Sequence, residues 1–355
     1  MFDAYRADLL EARERGAGAA VSVLGYRLAM LVSGGLALIV ADQWLGWPNT
    51  YRVMGGLFLL MGLVTLAAPR NDAAVRIASD ARREGQGFVA MLVAGALVWF
   101  VLAQAFALAL PAKPDRFVQL GADTATLLAA FGAAMWAARK VGFPSFVEPW
   151  DAFFERRHAV GLLSLIVLYK LGDAFAGSLT TAFLIRGAGF SVTEVGAINK
   201  ILGLVATIVG ALAGGALLAR LGLYRSLMWF GILQAVSNFG YWLLAVSPKS
   251  YVLMTAAIGV ENLCGGLGTA AFVAFLMALT DRRFSAAQYA LLSALAAVGR
   301  VYVGPASGVM VEAFGWPTFF VLTVIAALPG LVLLYWLRRP IAALDDGPAT
   351  QETPT

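Results

Sequence analysis

Residues 159–184 read AVGLLSLIVLYKLGDAFAGSLTTAFL. An α-helix needs about 20 apolar residues to cross a bilayer. This run exceeds that length and carries only two charges, Lys170 and Asp173, both well inside it. A charge near the bilayer centre costs about 2.5–3.5 kcal/mol on insertion scales, so it faces a partner or a cavity rather than lipid. Three residues apart, the two lie on one helix face and can pair. The stretch therefore specifies a membrane-spanning helix with a charged interior. Two readings of the pair stand: a structural ion pair, or a participant in a transport cycle.

Composition extends this reading to the whole chain. Of 355 residues, 60% are hydrophobic and 13% charged, against about 25% charged in a soluble domain, and the mean hydropathy is +0.79. These values exclude a secreted disulfide scaffold, a soluble nucleotide-binding enzyme and a nucleic-acid binder. The net charge of +5 does not restore the last, because basic residues of membrane proteins collect in cytoplasmic loops. Cys264 is the single cysteine and lies in an apolar run, where an inert buried thiol is expected. His158, the single histidine, follows Arg156 and Arg157 at the start of a span, so a zinc-type site lacks its ligands. No metal and no cofactor is implied. The start carries Asp3, Arg6 and Asp8 and no apolar core, unlike a signal peptide.

Apolar runs bounded by charge give ten spans, near 16–41, 50–68, 87–110, 119–138, 159–184, 195–218, 226–246, 251–278, 286–311 and 317–337. Backbone groups in lipid must be satisfied within the segment, which selects helices, and the fold class is an all-α polytopic membrane protein. Basic residues orient it. With the N-terminus in the cytoplasm, seventeen of the 26 Lys and Arg lie on that side, five (Arg52, Lys113, Arg116, Arg186 and Lys249) at or beyond the outer face, and four within spans. The imbalance places both termini in the cytoplasm. The tail, 340–355, reads as disordered.

A repeat divides the chain further. Gly46-Trp47-Pro48 separates the first two spans and Gly315-Trp316-Pro317 the last two. Each follows a helix rich in small residues with one internal arginine, Arg27 or Arg300, and precedes a Leu-rich helix. Many transporters are built from two parallel six-helix halves, and the spans from 159 to 339 have the length of one. Residues 1–68 then match the fifth and sixth helices of the other half, and 69–158 hold two extra helices and cytoplasmic linkers. On this reading about four N-terminal helices precede the chain's start in a complete protein, so a separate N-terminal helical segment is an expected partner.

The chain resembles the AmpG-type muropeptide permeases of the major facilitator superfamily, which carry two extra helices between their halves. The stretches that carry the resemblance are Asp3-Ala4-Tyr5-Arg6, Ser22-Val23-Leu24-Gly25-Tyr26-Arg27, Leu168-Tyr169-Lys170-Leu171-Gly172-Asp173, Gly196-Ala197-Ile198-Asn199-Lys200, Glu261-Asn262-Leu263, Gly268-Thr269-Ala270-Ala271-Phe272, and Arg283-Phe284-Ser285 with Gln288-Tyr289-Ala290. Gly215, Arg220, Gly222 and Arg225 look like the superfamily loop motif, with Ala219 at its acidic position. The resemblance implies proton-coupled import of anhydro-muropeptides from periplasm to cytoplasm across the inner membrane, in peptidoglycan recycling, with membrane lipid, muropeptide and protons as the partners. A membrane-embedded cell-wall enzyme is the alternative from another class, and it lacks a recognisable catalytic motif. A truncated product, inactive or split, is the other.

The charges inside spans supply the candidate residues. Glu261 has no opposite charge in its own helix and is the first candidate for proton coupling, with Asp173 second; a static bridge from Glu261 to Arg27 or Arg300 is the competing expectation. Arg27, Lys170 and Arg300 suit the carboxylates of an anionic substrate; Lys200, Asn199, Asn238 and Asn262 are further candidates for substrate contact, with snorkelling to the interface the other reading for the lysine and buried interhelical hydrogen bonds for the amides. Tyr26, Tyr169, Tyr241 and Trp242 could stack on sugar rings or simply pack. Gly210 and Gly214, and the cluster Gly265, Gly266 and Gly268, are expected where helices approach closely.

Overall fold

The computed structural model describes Tyr5 and residues 9–11, 14–67, 80–111, 115–281 and 283–345; the side chains at 34, 35, 38, 39, 81, 116, 200, 300 and 305 lie outside it. The described residues are helical, with no strand among them. In chain order the helices are α1 (Arg15–Leu31), α2 (Gly46–Leu66), α3 (Ala81–Ala109), α4 (Arg116–Val141), α5 (Pro144–Phe154), α6 (Ala159–Tyr169), α7 (Leu171–Ala182), α8 (Val192–Ile198), α9 (Leu204–Leu221), α10 (Leu223–Val246), α11 (Tyr251–Ala278), α12 (Ser285–Trp336) and α13 (Arg338–Ala342). The expected run 159–184 is divided at Lys170, between α6 and α7, and continues through a π-helical turn, Phe183–Gly187.

Nine helices among the described residues are long and apolar enough to span a membrane. They answer to nine of the ten expected spans. The tenth, 16–41, is helical: α1 runs on through the π-helical turns Val32–Leu36 and Ala41–Leu45. It stands outside the nine spans. Its stretch of Gly, Ala and Ser around Arg27 makes a less apolar helix than the Leu-rich ones.

Glycines set the closest helix contacts. A Cβ at Gly210 would lie 2.1 Å from the Leu263 carbonyl oxygen, and one at Gly266 would lie 2.3 Å from that of Thr207. α9 and α11 therefore touch backbone to backbone, as small residues permit. α1 joins the same stack, because a Cβ at Gly215 would meet Gly16 O at 2.5 Å. Of the second glycine cluster, Gly266 serves this crossing, while Gly268 faces Gln234 instead. The helices α3 and α4 pack mainly on each other as a hairpin. That hairpin meets the rest at few points, among them a 2.6 Å hydrogen bond between Thr124 Oγ1 and the Tyr302 hydroxyl.

The ends expected to lie in the cytoplasm are held by polar contacts. Arg156 donates to the Leu279 carbonyl at 2.7 Å, and Gln288 bonds both Pro149 O, at 3.0 Å, and the Asp281 amide, at 2.8 Å. Burial pushes the Asp281 carboxyl up, but hydrogen bonds from Arg283 outweigh it and hold the group below the usual carboxylate range. The tail corrects the expectation for 340–355 in part. Ile341 is fully buried, and the Asp345 carboxylate accepts from the Leu223 amide at 2.9 Å, capping α10. The rest of the tail, 346–355, lies outside the described residues. Disorder was expected there from polar and Pro-containing composition, and two apolar side chains, Ile341 and Leu344, suffice to dock the first residues.

Candidate functional site

Two separate apolar clusters form the interior of the spans. One gathers Leu162, Tyr169, Leu227, Phe230, Phe272 and Phe275; the other gathers Phe183, Tyr241, Met254, Ile258, Phe319 and Phe320. Along α10 the first cluster ends at Phe230 and the second begins at Tyr241; along α11 the second ends at Ile258 and the first begins at Leu267. These gaps hold the polar side chains Gln234 and Asn238 on α10 and Glu261 and Asn262 on α11. Lys170 and Asp173 occupy the corresponding gap between Tyr169 and Phe183. A polar layer thus lies between two apolar ones.

Within it the expected pair forms. Lys170 Nζ is 3.6 Å from Asp173 Oδ2, with the side chains 17% and 30% exposed. Lys170 sits where α6 gives way to α7, at φ −95° and ψ 4°. It also donates to Gln234 Oε1 and Thr269 Oγ1, each at 3.4 Å. Next to this group, Glu261 Oε2 accepts from Asn262 Nδ2 at 2.9 Å and from the Tyr241 hydroxyl at 3.5 Å. Asn262 Oδ1 accepts in turn from Thr207 at 3.1 Å. A Cβ on Gly203 would stand 3.3 Å from both Asn199 Oδ1 and Asn262 Nδ2, so that glycine lets the two amides share one space. Asn199 opens the π-helical turn Asn199–Gly203, a local irregularity of the kind common at functional sites.

Arg27 lies on α1, which packs against α9 and α11, and its Nε is buried without a hydrogen-bond partner. Lys170 and Asp173 are paired, and Glu261, Asn262 and Asn199 adjoin one another in the same layer. The backbones of Lys200 and Arg300 are helical, and their side chains lie outside the described part of the structure. Tyr169 and Tyr241 turn out to be packing residues, 7% and 1% exposed. Their hydroxyls are engaged by Leu227 O and Glu261, which leaves no ring face for a sugar. Sequence reasoning passed over Gln234, Thr269 and Thr207. The available signal was spacing: Gln234, Asn238 and Tyr241 lie at i, i+4 and i+7, one face of a helix.

Apolar spans enclosing a layer of basic, acidic and amide side chains between two apolar clusters define an all-α polytopic membrane protein with a polar interior. The chain belongs to the Major Facilitator Superfamily, whose family model matches residues 161–354. It is 48% identical to the anhydromuropeptide permease of Escherichia coli strain K12 over 96% of its own length, and spans 57% of the length of that relative. Over 96% of the chain it is also 27% identical to a putative transporter, AmpG 4, of Rickettsia conorii, covering 68% of that protein. A second putative transporter, AmpG 1 of Rickettsia prowazekii, is 25% identical over 96% of the chain and 72% of its own length.

Proposed function

We propose that the chain serves proton-coupled import of anhydro-muropeptides from periplasm to cytoplasm, in an inner membrane, for peptidoglycan recycling. The observation that carries this reading is the polar layer, where Lys170 pairs with Asp173 and Glu261 accepts from Asn262 and Tyr241, in a chain 48% identical to an anhydromuropeptide permease. Muropeptides carry carboxylates on their peptide stems. Arg27, Lys170 and Arg300 bind those carboxylates, and Asn199, Asn262 and Lys200 contact peptide or sugar. Glu261 and Asp173 take and release the coupled proton. The six spans between 159 and 336 form one half of the transporter, α1 and α2 belong with the other half, and the α3–α4 hairpin lies between them, with both termini in the cytoplasm.

The test is uptake of labelled anhydro-muropeptide by cells lacking their own permease. The chain is expressed by itself and fused to the part of the E. coli relative that it does not cover. Uptake is expected to need a proton gradient, and Glu261→Gln is expected to abolish the gradient-driven component while leaving downhill exchange. If Glu261→Gln leaves gradient-driven accumulation intact, Glu261 is not the coupling group. If neither form moves the substrate, the assignment to muropeptides fails.

A further inference from the structure

Gln234 is 5% exposed in the middle of α10, and its amide is turned so that Oε1 faces the Lys170 ammonium at 3.4 Å. That orientation leaves Nε2 buried without a hydrogen-bond partner, a condition that costs about 1–3 kcal/mol. The lysine is what the orientation serves. Its ammonium stands nearly equidistant from three acceptors: Asp173 Oδ2 at 3.6 Å, Gln234 Oε1 at 3.4 Å and Thr269 Oγ1 at 3.4 Å. An N–H···O bond ordinarily spans about 2.7–3.2 Å, so no single partner has captured it. One of the three acceptors is charged and two are neutral. Room for the neutral pair comes from Gly268, where a Cβ would lie 2.7 Å from Gln234 Oε1 and 3.7 Å from Lys170 Nζ.

We propose that Gln234, with Thr269, is a positioning residue: a neutral seat that keeps the Lys170 ammonium at the membrane centre while a substrate carboxylate displaces Asp173 from it. This rests on the reading of the layer as an anion site and deepens it, because binding then exchanges one carboxylate for another. A lysine held by Asp173 alone would have to give up its only partner before meeting the substrate, at the cost of an unpaired charge in the membrane. The seat removes that step. The unpartnered nitrogens of Gln234 and, one turn on, Asn238 leave two amide donors in the same layer.

Two measurements on the full chain test it. In detergent, unfolding is compared for Asp173→Asn, Gln234→Leu and the double variant. With the seat present, Asp173→Asn is expected to change the unfolding equilibrium little. Without it, the same substitution is expected to shift the equilibrium about tenfold or more, the worth of a hydrogen bond to a charged group. Lys170→Met is expected to make Gln234→Leu nearly silent, which a glutamine serving only helix packing would not show. Thr269→Val provides the same comparison if Gln234→Leu does not fold. In uptake assays, Gln234→Leu is expected to raise the half-saturating concentration about tenfold while the maximal rate stays within about twofold. Additive losses in both stability comparisons overturn the seat, as does an uptake defect confined to the maximal rate. If the unmodified protein takes up no muropeptide, the proposed substrate fails, and the stability comparisons alone decide the seat.

Discussion

At Gly46 and at Gly315 the backbone takes the same step, φ 68° and ψ 164° in the first and φ 76° and ψ 170° in the second, and each glycine is followed by Trp and Pro. The surroundings differ. Trp316 packs 5.3 Å from Phe183 and 6.4 Å from Phe319, and it covers Gly187, where a Cβ would come within 2.9 Å of the indole. Trp47 is 53% exposed and touches Tyr51 at 5.9 Å, and α2 beyond it packs chiefly on the residues just before it. A Gly with positive φ and extended ψ, followed by a residue and a Pro of fixed φ, builds the turn from local sequence alone. Whether the turn locks anything depends on partners that arrive from elsewhere in the chain, here the π-helical turn Phe183–Gly187.

The largest expected effect breaks the comparison at the tryptophans. Trp316→Ala is expected to destabilise the chain by about 3 kcal/mol, the lower end for truncating a large packed aromatic. Trp47→Ala is expected to cost no more than about 0.5 kcal/mol. Unfolding of the detergent-solubilised chain measures both, and equal losses would show that Trp47 is held as firmly as Trp316. The glycines should sharpen the likeness instead. This backbone region is nearly confined to glycine, with about 1–3 kcal/mol for another residue, so Gly46→Ala and Gly315→Ala are expected to strain their turns alike. The readout is the same unfolding assay, together with cross-linking across each turn. A cost at Gly315 only would mean that the first turn relaxes when its glycine is replaced.

What was legible in the sequence divides along the same line. The Gly-Trp-Pro turns, nine of the ten apolar runs and the Lys170–Asp173 pair depend on neighbours a few residues away, and they stand in the structure, though 159–184 is divided at Lys170 and 16–41 falls outside the nine spans. The layer around Glu261 does not: Tyr241 approaches it from α10, and nothing in the α11 sequence announces that partner. The competing expectation of a bridge from Glu261 to Arg27 or Arg300 turns on packing: Asn262 and Tyr241 hydrogen-bond the Glu261 carboxylate, while the Arg300 side chain lies outside the described residues. Gln234 shares a helix face with Asn238 and Tyr241, but that spacing gives no sign that its partner is Lys170, which comes from another helix. The six-residue start of the tail, 340–345, reads as solvent-exposed until Leu223 supplies the amide that Asp345 caps.

That cap gives the smallest effect expected from a substitution at a turn's partner. Gly222 has φ 77° and ψ 168°, the backbone of the two Gly-Trp-Pro turns, but no tryptophan follows it and no aromatic cluster covers it. Its helix start is held from the far end of the chain, through Asp345 oxygens 2.9 Å and 3.1 Å from the Leu223 amide. The loop motif that spans this turn has Ala219 where an acidic residue is usual, and the acid at the turn comes instead from the segment after α13. A carboxylate at a helix N-terminus satisfies a free N–H and meets the positive end of the helix dipole. Asp345→Ala is therefore expected to cost about 1 kcal/mol, less than Trp316→Ala and more than Trp47→Ala. Asp345→Asn should retain most of the cap, since asparagine accepts the same hydrogen bond. If Asp345→Ala leaves unfolding unchanged, the tail contributes nothing to the turn, and the Gly222 backbone is as self-sufficient as that of Gly46.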